Sequence, residues 1–251
     1  MSYCLAVAVD DGMVFCSDSR TIEGVDRVST YGKMFQFGSD GQRQFVILAS
    51  GNLATAQATI ARVKLDIQDN AARNLMRVAT VQEAADYLGD LSLTEQQRHG
   101  ESDGMEASFI IGGQIAGSDH EVALVYPQGN HITTSSDTLF LQIGESKYGK
   151  PILDRILAPN TSLDTCALCS LVSMDSTIRS NLTVGPPVEL LVYRTNSLVL
   201  TGHRKFNADS SFLREISRAW DQRLKDAFHL MPALNWESDS IDPIADKSNI
   251  R

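Results

Sequence analysis

Long apolar runs are missing from this 251-residue sequence. None approaches the ~20 residues that a membrane-spanning helix requires, so a membrane partner is not expected. Met1-Ser2 leads straight into a strand-like segment, without the basic and apolar regions of a secretory leader. Cysteine is scarce: Cys4, Cys16, Cys166 and Cys169 are too few for the dense disulfide framework of a secreted domain. Together these absences predict a soluble, reduced, cytoplasmic protein. Positive charge is also short, with 22 Lys and Arg against 31 Asp and Glu and a net charge of −9. A nucleic-acid surface needs a basic face or stripe, so no nucleic-acid partner is expected. His99, His120, His131, His203 and His229 are scattered, with no H-E-x-x-H and no paired ligand spacing. No metal and no cofactor are expected either.

What is present is an ordinary globular composition, 43% hydrophobic and 21% charged, able to bury a sizeable core. Tyr3, Leu5, Val7 and Val9 alternate with Cys4, Ala6 and Ala8, a period of 2 with apolar residues on both faces. Such a strand lies in the middle of a layered structure. Asp11-Gly12 is a hairpin turn and 13–17 the returning strand; further strands are predicted at about 33–37 and 44–49. The period then changes, with Leu53, Ile60, Val63 and Ile67 at helical spacing. Thr80-Val-Gln-Glu83 is a capping box that opens a second helix. Strands return at 108–115, 120–126 and 139–143, followed by helices at about 147–158 and 163–178. Residues 188–193 and 197–200 are expected to form a hairpin around Thr195-Asn196. A last helix runs from about 210 to 230, its charges a solvated face.

Helices grouped in pairs between antiparallel hairpins do not fit a parallel βαβ sheet, in which they would alternate singly. Two stacked antiparallel sheets, each with helices outside, account for strands that are apolar on both faces. The expected fold class is therefore α+β, a four-layer αββα sandwich. No linker rich in Pro, Gly or Ser divides the chain. Residues 1–251 read as one domain with a polar tail from about 232.

The residues with chemistry gather early. Ser2 becomes the first residue once Met1 is removed. Asp18 follows in Phe15-Cys16-Ser17-Asp18-Ser19-Arg20, Lys33 in Tyr31-Gly32-Lys33-Met34-Phe35, and Ser50-Gly51-Asn52 joins a strand to a helix. A serine hydroxyl needs a base to act as a nucleophile. A free α-amine, with an unperturbed pKa of ~7.7–8.0, can serve without a histidine. A nearby Lys33 ammonium lowers the pKa of both hydroxyl and amine, and Asp18 would fix that lysine. The Gly51 N–H can face a developing oxyanion.

This set resembles the motifs of proteasome β-subunits: an N-terminal nucleophile, an Asp before x-Arg, a Lys, and a small-Gly-small turn. Gln142-Ile143-Gly144-Glu145-Ser146 and Arg179-Ser180-Asn181-Leu182-Thr183-Val184-Gly185 resemble the family's two later turns, so the likeness spans roughly 2–205. Tyr148-Gly149-Lys150-Pro151 and the Arg-Ser-Asn turn are similar to the Anbu group in particular. The resemblance implies an N-terminal-nucleophile hydrolase fold and a peptidase with Ser2, Asp18 and Lys33 catalytic and Gly51 in the oxyanion hole. Glu145, Ser180 and Thr183 would be supporting residues. It further implies self-association into a large homo-oligomer, ring or open spiral, and a peptide or isopeptide substrate. Four positions depart from the family pattern: Ser2 stands for the usual Thr, Ser180 for an Asp, Thr183 for a Ser and Glu145 for a Ser. A carboxylate at 145 would either weaken the amine as a base or replace the missing Asp. A non-catalytic assembly scaffold and a small-molecule acyl transferase or amidase are the alternative functions.

Other motifs have ordinary readings. Cys166-Ala-Leu-Cys169 is expected to be core packing within a helix. Gly112-Gly113-Gln-Ile-Ala-Gly117 reads as a strand break, not a phosphate loop. Arg20 is expected to pair with a carboxylate in a structural role.

Overall fold

A computed structural model describes residues 2–23, 27–98 and 104–233. The alternating N-terminal segment forms β1 (Tyr3–Val9), which turns at Asp11-Gly12 into β2 (Gly12–Ser17). There follow β3 (Arg20–Glu23), β4 (Arg27–Thr30), β5 (Met34–Ser39) and β6 (Arg43–Gly51). Helix α1 (Leu53–Gln68) starts where the Asn52 side chain accepts the Thr55 N–H at 3.0 Å. Helix α2 (Val81–Gln97) starts at Thr80, whose hydroxyl accepts the Glu83 N–H at 3.0 Å. The Glu83 carboxylate reaches back to the Ala79 N–H instead, one residue beyond the usual capping-box partner.

The second half contains β7 (Ala107–Ile115), β8 (Glu121–Val125), β9 (His131–Thr133) and β10 (Phe140–Gly144). Then come α3 (Lys150–Ile156), α4 (Leu163–Ser180), β11 (Val188–Arg194), β12 (Gly202–Phe206) and α5 (Ser211–His229). Two five-stranded antiparallel sheets result, ordered β10-β1-β2-β11-β12 and β5-β6-β7-β8-β9, with β3-β4 a separate pair.

Three apolar clusters show how the elements pack. Cys4, Ala6, Met13 and Phe15 of the first sheet meet Met34, Val46, Leu48 and Ile110 of the second. Tyr3, Leu5 and Val7, on the opposite face of β1, pack with Leu153, Cys166, Met174 and Ile216 of α3, α4 and α5. Phe45, Ile47 and Phe109 pack with Ile60, Val63 and Leu88 of α1 and α2. Each fully buried large apolar side chain in these clusters contributes about 1.5–3 kcal/mol. The doubly apolar pattern of β1 thus has its physical cause: both of its faces are covered.

Two expectations need correction. Gly112 and Gly113 do not break a strand; they lie inside β7, paired with Val46 and Phe45. A Cβ on Gly112 would come within 2.6 Å of the Phe15 ring, so glycine there makes room for a core aromatic. The return strand after Asn196 is 202–206 rather than 197–200. Asn196 and Leu198 take positive φ, and the Leu198 carbonyl accepts from Gly41 and Gln44 of the opposite sheet. This excursion delays the return by several residues. The hairpin β3-β4 and the short strand β9 were not expected at all. The polar tail from about 232 lies almost wholly outside the described residues. Among the described residues no helix is long and apolar enough to cross a membrane, and no cluster of three or more His, Cys, Asp or Glu could hold a metal ion.

Candidate active site

Ser2 sits just before β1, and its carbonyl accepts the Glu145 N–H at 2.7 Å. This bond extends the β1-β10 ladder, in which Tyr3 faces Gly144. Gly144 has φ +83, and a Cβ there would strike the Ser2 carbonyl. The β10 turn can therefore close on residue 2 only with glycine at that position.

Asp18 follows β2 directly and is fully buried. Its Oδ1 accepts the Tyr3 N–H at 3.0 Å, and its Oδ2 accepts the N–H groups of Arg20 and Gly185, both at 3.2 Å. Lys33 precedes β5 and buries all but 6% of its side chain. Its ammonium donates to Asp18 Oδ1 and to the Arg20 carbonyl, both at 2.6 Å. Burial pushes the Asp18 carboxyl above the usual carboxylate range; the Lys33 ammonium and the N–H groups of Tyr3 and Gly185 act against that rise. A buried charge of either sign needs such a partner.

Ser2, Lys33 and Gly51 line one cavity of about 770 Å³ together with Thr21, Ser29, Tyr31 and Asn52. Asp18 lies behind Lys33, away from the cavity lining. Gly51 ends β6 with φ +106, and a Cβ would approach the Glu106 carbonyl oxygen to 2.5 Å. The strand-to-helix junction beside Ser2 thus requires glycine. Lys33, Asp18 and Gly51 therefore meet at the N-terminal end of β1 although they lie far apart in sequence.

The supporting positions divide. Glu145 is buried and accepts from the Asn181 amide at 2.9 Å. Thr183 donates its N–H and its hydroxyl to Asn181 Oδ1, at 2.9 and 2.7 Å. Ser180 ends α4 and is exposed, so it does not join this group. Asn181 was overlooked in the sequence; its place between two expected site residues was the available signal. Thr21 and Ser29 were overlooked because the β3-β4 hairpin that carries them was. Its signal was the β-branched run of Thr21, Ile22, Val28 and Thr30 about Gly24.

Arg20 corrects another expectation: among the described residues its side chain bonds carbonyls, not a carboxylate. Its Nη1 donates to Leu182 at 2.9 Å and Val184 at 3.4 Å. A Cβ on Gly185 would run into that guanidinium. Cys166 and Cys169 are free and packed in the cluster beneath α4. Burial pushes their thiols up to about 11 and about 12, the behaviour of core side chains rather than of reactive thiolates.

Two stacked antiparallel sheets, helices against their outer faces, and a residue-2 serine sharing a cavity with a buried lysine define a protein of the proteasome β-subunit class. No protein-family model and no curated protein sequence matches the chain. Solved structures make the class particular. Anbu (ancestral beta-subunit) from Yersinia bercovieri is 39% identical with a TM-score of 0.89, over 93% of this chain and 98% of that one. The helical assembly of the Anbu complex from Pseudomonas aeruginosa is 41% identical with a TM-score of 0.89, over 94% and 100%. Anbu from Hyphomicrobium sp. strain MC1 is 36% identical with a TM-score of 0.86, over 93% and 99%. The chain belongs to the Anbu family of proteasome-like proteins.

Proposed function

We propose that this protein is an N-terminal-nucleophile hydrolase of peptide or isopeptide bonds, working from Ser2 after loss of Met1. The observation that carries the reading is the buried Lys33–Asp18 pair, 2.6 Å apart, whose lysine shares the cavity with Ser2. Ser2 Oγ attacks the carbonyl carbon of the scissile amide while its proton passes to the α-amine of the same residue. The leaving amine takes that proton as the C–N bond breaks, which leaves an ester on Ser2. Water, deprotonated by the same α-amine, then hydrolyses the ester and frees the carboxylic acid. Lys33 keeps positive charge beside hydroxyl and amine, so both lose protons more readily. Asp18 holds Lys33 charged and in place. The Gly51 N–H serves the oxyanion. Glu145 and Thr183 support the residue-2 end of the site.

The same reading takes the chain as one four-layer αββα domain, cytoplasmic and self-associating into a ring or open spiral. A second reading, an assembly scaffold without catalysis, is favoured by one observation: the Pseudomonas aeruginosa relative is itself a helical assembly. A peptide epoxyketone or β-lactone added to protein whose mass confirms Met1 removal separates the two. The hydrolase reading expects an adduct at Ser2 that is lost in Ser2→Ala. No adduct across a range of such probes favours the scaffold.

A further inference from the structure

The turn at 181–185 is bonded to carboxylates on both sides of residue 2. On one side the Gly185 N–H donates to Asp18 Oδ2 at 3.2 Å. On the other the Asn181 amide donates to Glu145 Oε2 at 2.9 Å. Arg20 fastens the same turn through the carbonyls of Leu182 and Val184. Asn181 is itself oriented on three sides: its N–H donates to the Thr177 carbonyl at 2.9 Å, and its Oδ1 accepts both Thr183 donors. An amide fixed in this way can present only its NH₂ to Glu145.

Glu145 has a reason to be held. It is buried to 8% exposure, yet among the described residues no Lys, Arg or His forms an ion pair with it. The bond from its own N–H to the Ser2 carbonyl puts its backbone across from residue 2. Residue 2 is thus the backbone neighbour across from that carboxylate.

We propose that Asn181 is a positioning residue of this site, holding the Glu145 carboxylate where it accepts a hydrogen bond from the α-amine of Ser2. The proposal rests on the hydrolase reading above only in needing a free residue-2 amine. Ser180, exposed at the end of α4, takes no part in this arrangement.

The charged groups around the amine set the sign of the consequence. Lys33, from the start of β5, opposes the ammonium form. Asp18, behind it, is committed to Lys33 and to three N–H groups. Arg20 faces the carbonyls of the turn. Glu145, bonded by the Asn181 amide but in no ion pair among the described residues, favours the ammonium, so the amine becomes a base at higher pH than it would without that carboxylate. The cost in basic form at neutral pH is offset by an amine that points one way.

The test reads the amine directly. On full-length protein with Met1 removal verified by intact mass, acetic anhydride labelling of the α-amine is followed against pH by mass spectrometry. Glu145→Gln should lower the labelling midpoint by about one pH unit or more, as an anion within ~4–6 Å would require. Asn181→Ala should lower it in the same direction by less, and Asn181→Gln should fall between Ala and wild type. A midpoint unchanged in Glu145→Gln overturns the proposal, whatever happens to catalysis. So does Asn181→Ala that only lowers the melting temperature and leaves the midpoint in place. A shifted midpoint in a protein that never labels at Ser2 Oγ would uphold this inference while the hydrolase reading fails.

Discussion

Lys33 and Asp18 each bury a charge, so neither can lose the other cheaply. Lys33→Ala leaves the Asp18 carboxylate without its cation, and we expect a loss of about 3–5 kcal/mol in unfolding free energy. Lys33→Met with Asp18→Asn removes both charges at similar volume. The one amide oxygen that Asp18→Asn leaves can accept the Tyr3 N–H but not also the N–H groups of Arg20 and Gly185 that Oδ2 accepts, so part of the stability should return, as measured by urea denaturation. A double variant no more stable than Lys33→Ala would contradict the pairing. The thiols give a second expectation. Burial pushes Cys166 up to about 11 and Cys169 up to about 12, above an ordinary ~8.5. A folded-state pKa raised in this way contributes stability that is complete below ~8.5 and is lost as pH climbs from there through the folded values. Unfolding free energy should therefore decline across that alkaline window. At pH 8 iodoacetamide should leave all four cysteines of the native protein unmodified, while labelling them in denaturant. Rapid labelling of the native protein would show a more open helix layer than the one described.

At the scale of elements, β7 carries a sharp expectation. Gly112→Ala would drive a methyl group into the Phe15 ring between the sheets, an overpacking that costs about 1–3 kcal/mol. Gly41, on an open turn with no neighbour within 4 Å of a Cβ, lacks that collision, and Gly41→Ala should cost less despite its positive φ. Differential scanning calorimetry of the two variants checks the contrast, and equal losses would contradict it. These positions also mark what the sequence could not reveal. Periodicity located β1, β2, α1, α2 and α4 because their apolar patterns answer to broad buried faces. It misplaced the end of the 188–206 hairpin because Leu198 is held by the opposite sheet, a contact no local pattern encodes. It read Gly112-Gly113 as a break because the need for space beside Phe15 and Phe45 is visible only once the sheets stack. The hairpin β3-β4 was missed because it is short and stands outside both main sheets.

Across the whole molecule, the stacking of the sheets is what assembles the site. Ser2 precedes β1 and Asp18 follows β2 of one sheet, while Lys33 precedes β5 and Gly51 ends β6 of the other. Of the residues expected to be catalytic or oxyanion-binding, Ser2, Lys33 and Gly51 line one cavity and Asp18 backs it. Their spacing made that group legible through its resemblance to a family, whereas Asn181 emerged only from tertiary hydrogen bonds. The family also frames the expected size: sedimentation at micromolar concentration should show particles far larger than a dimer, and monomer alone would count against self-association. The central claim is that Ser2, Lys33 and Asp18 act as one chemical unit, and the rate of Ser2 labelling by a peptide epoxyketone in the Lys33→Met, Asp18→Asn double variant tests it most directly. With Met1 removed and the fold intact, that rate should fall at least ~10²-fold, the usual worth of tuned acid–base assistance. Labelling at the wild-type rate would contradict the role given to the pair.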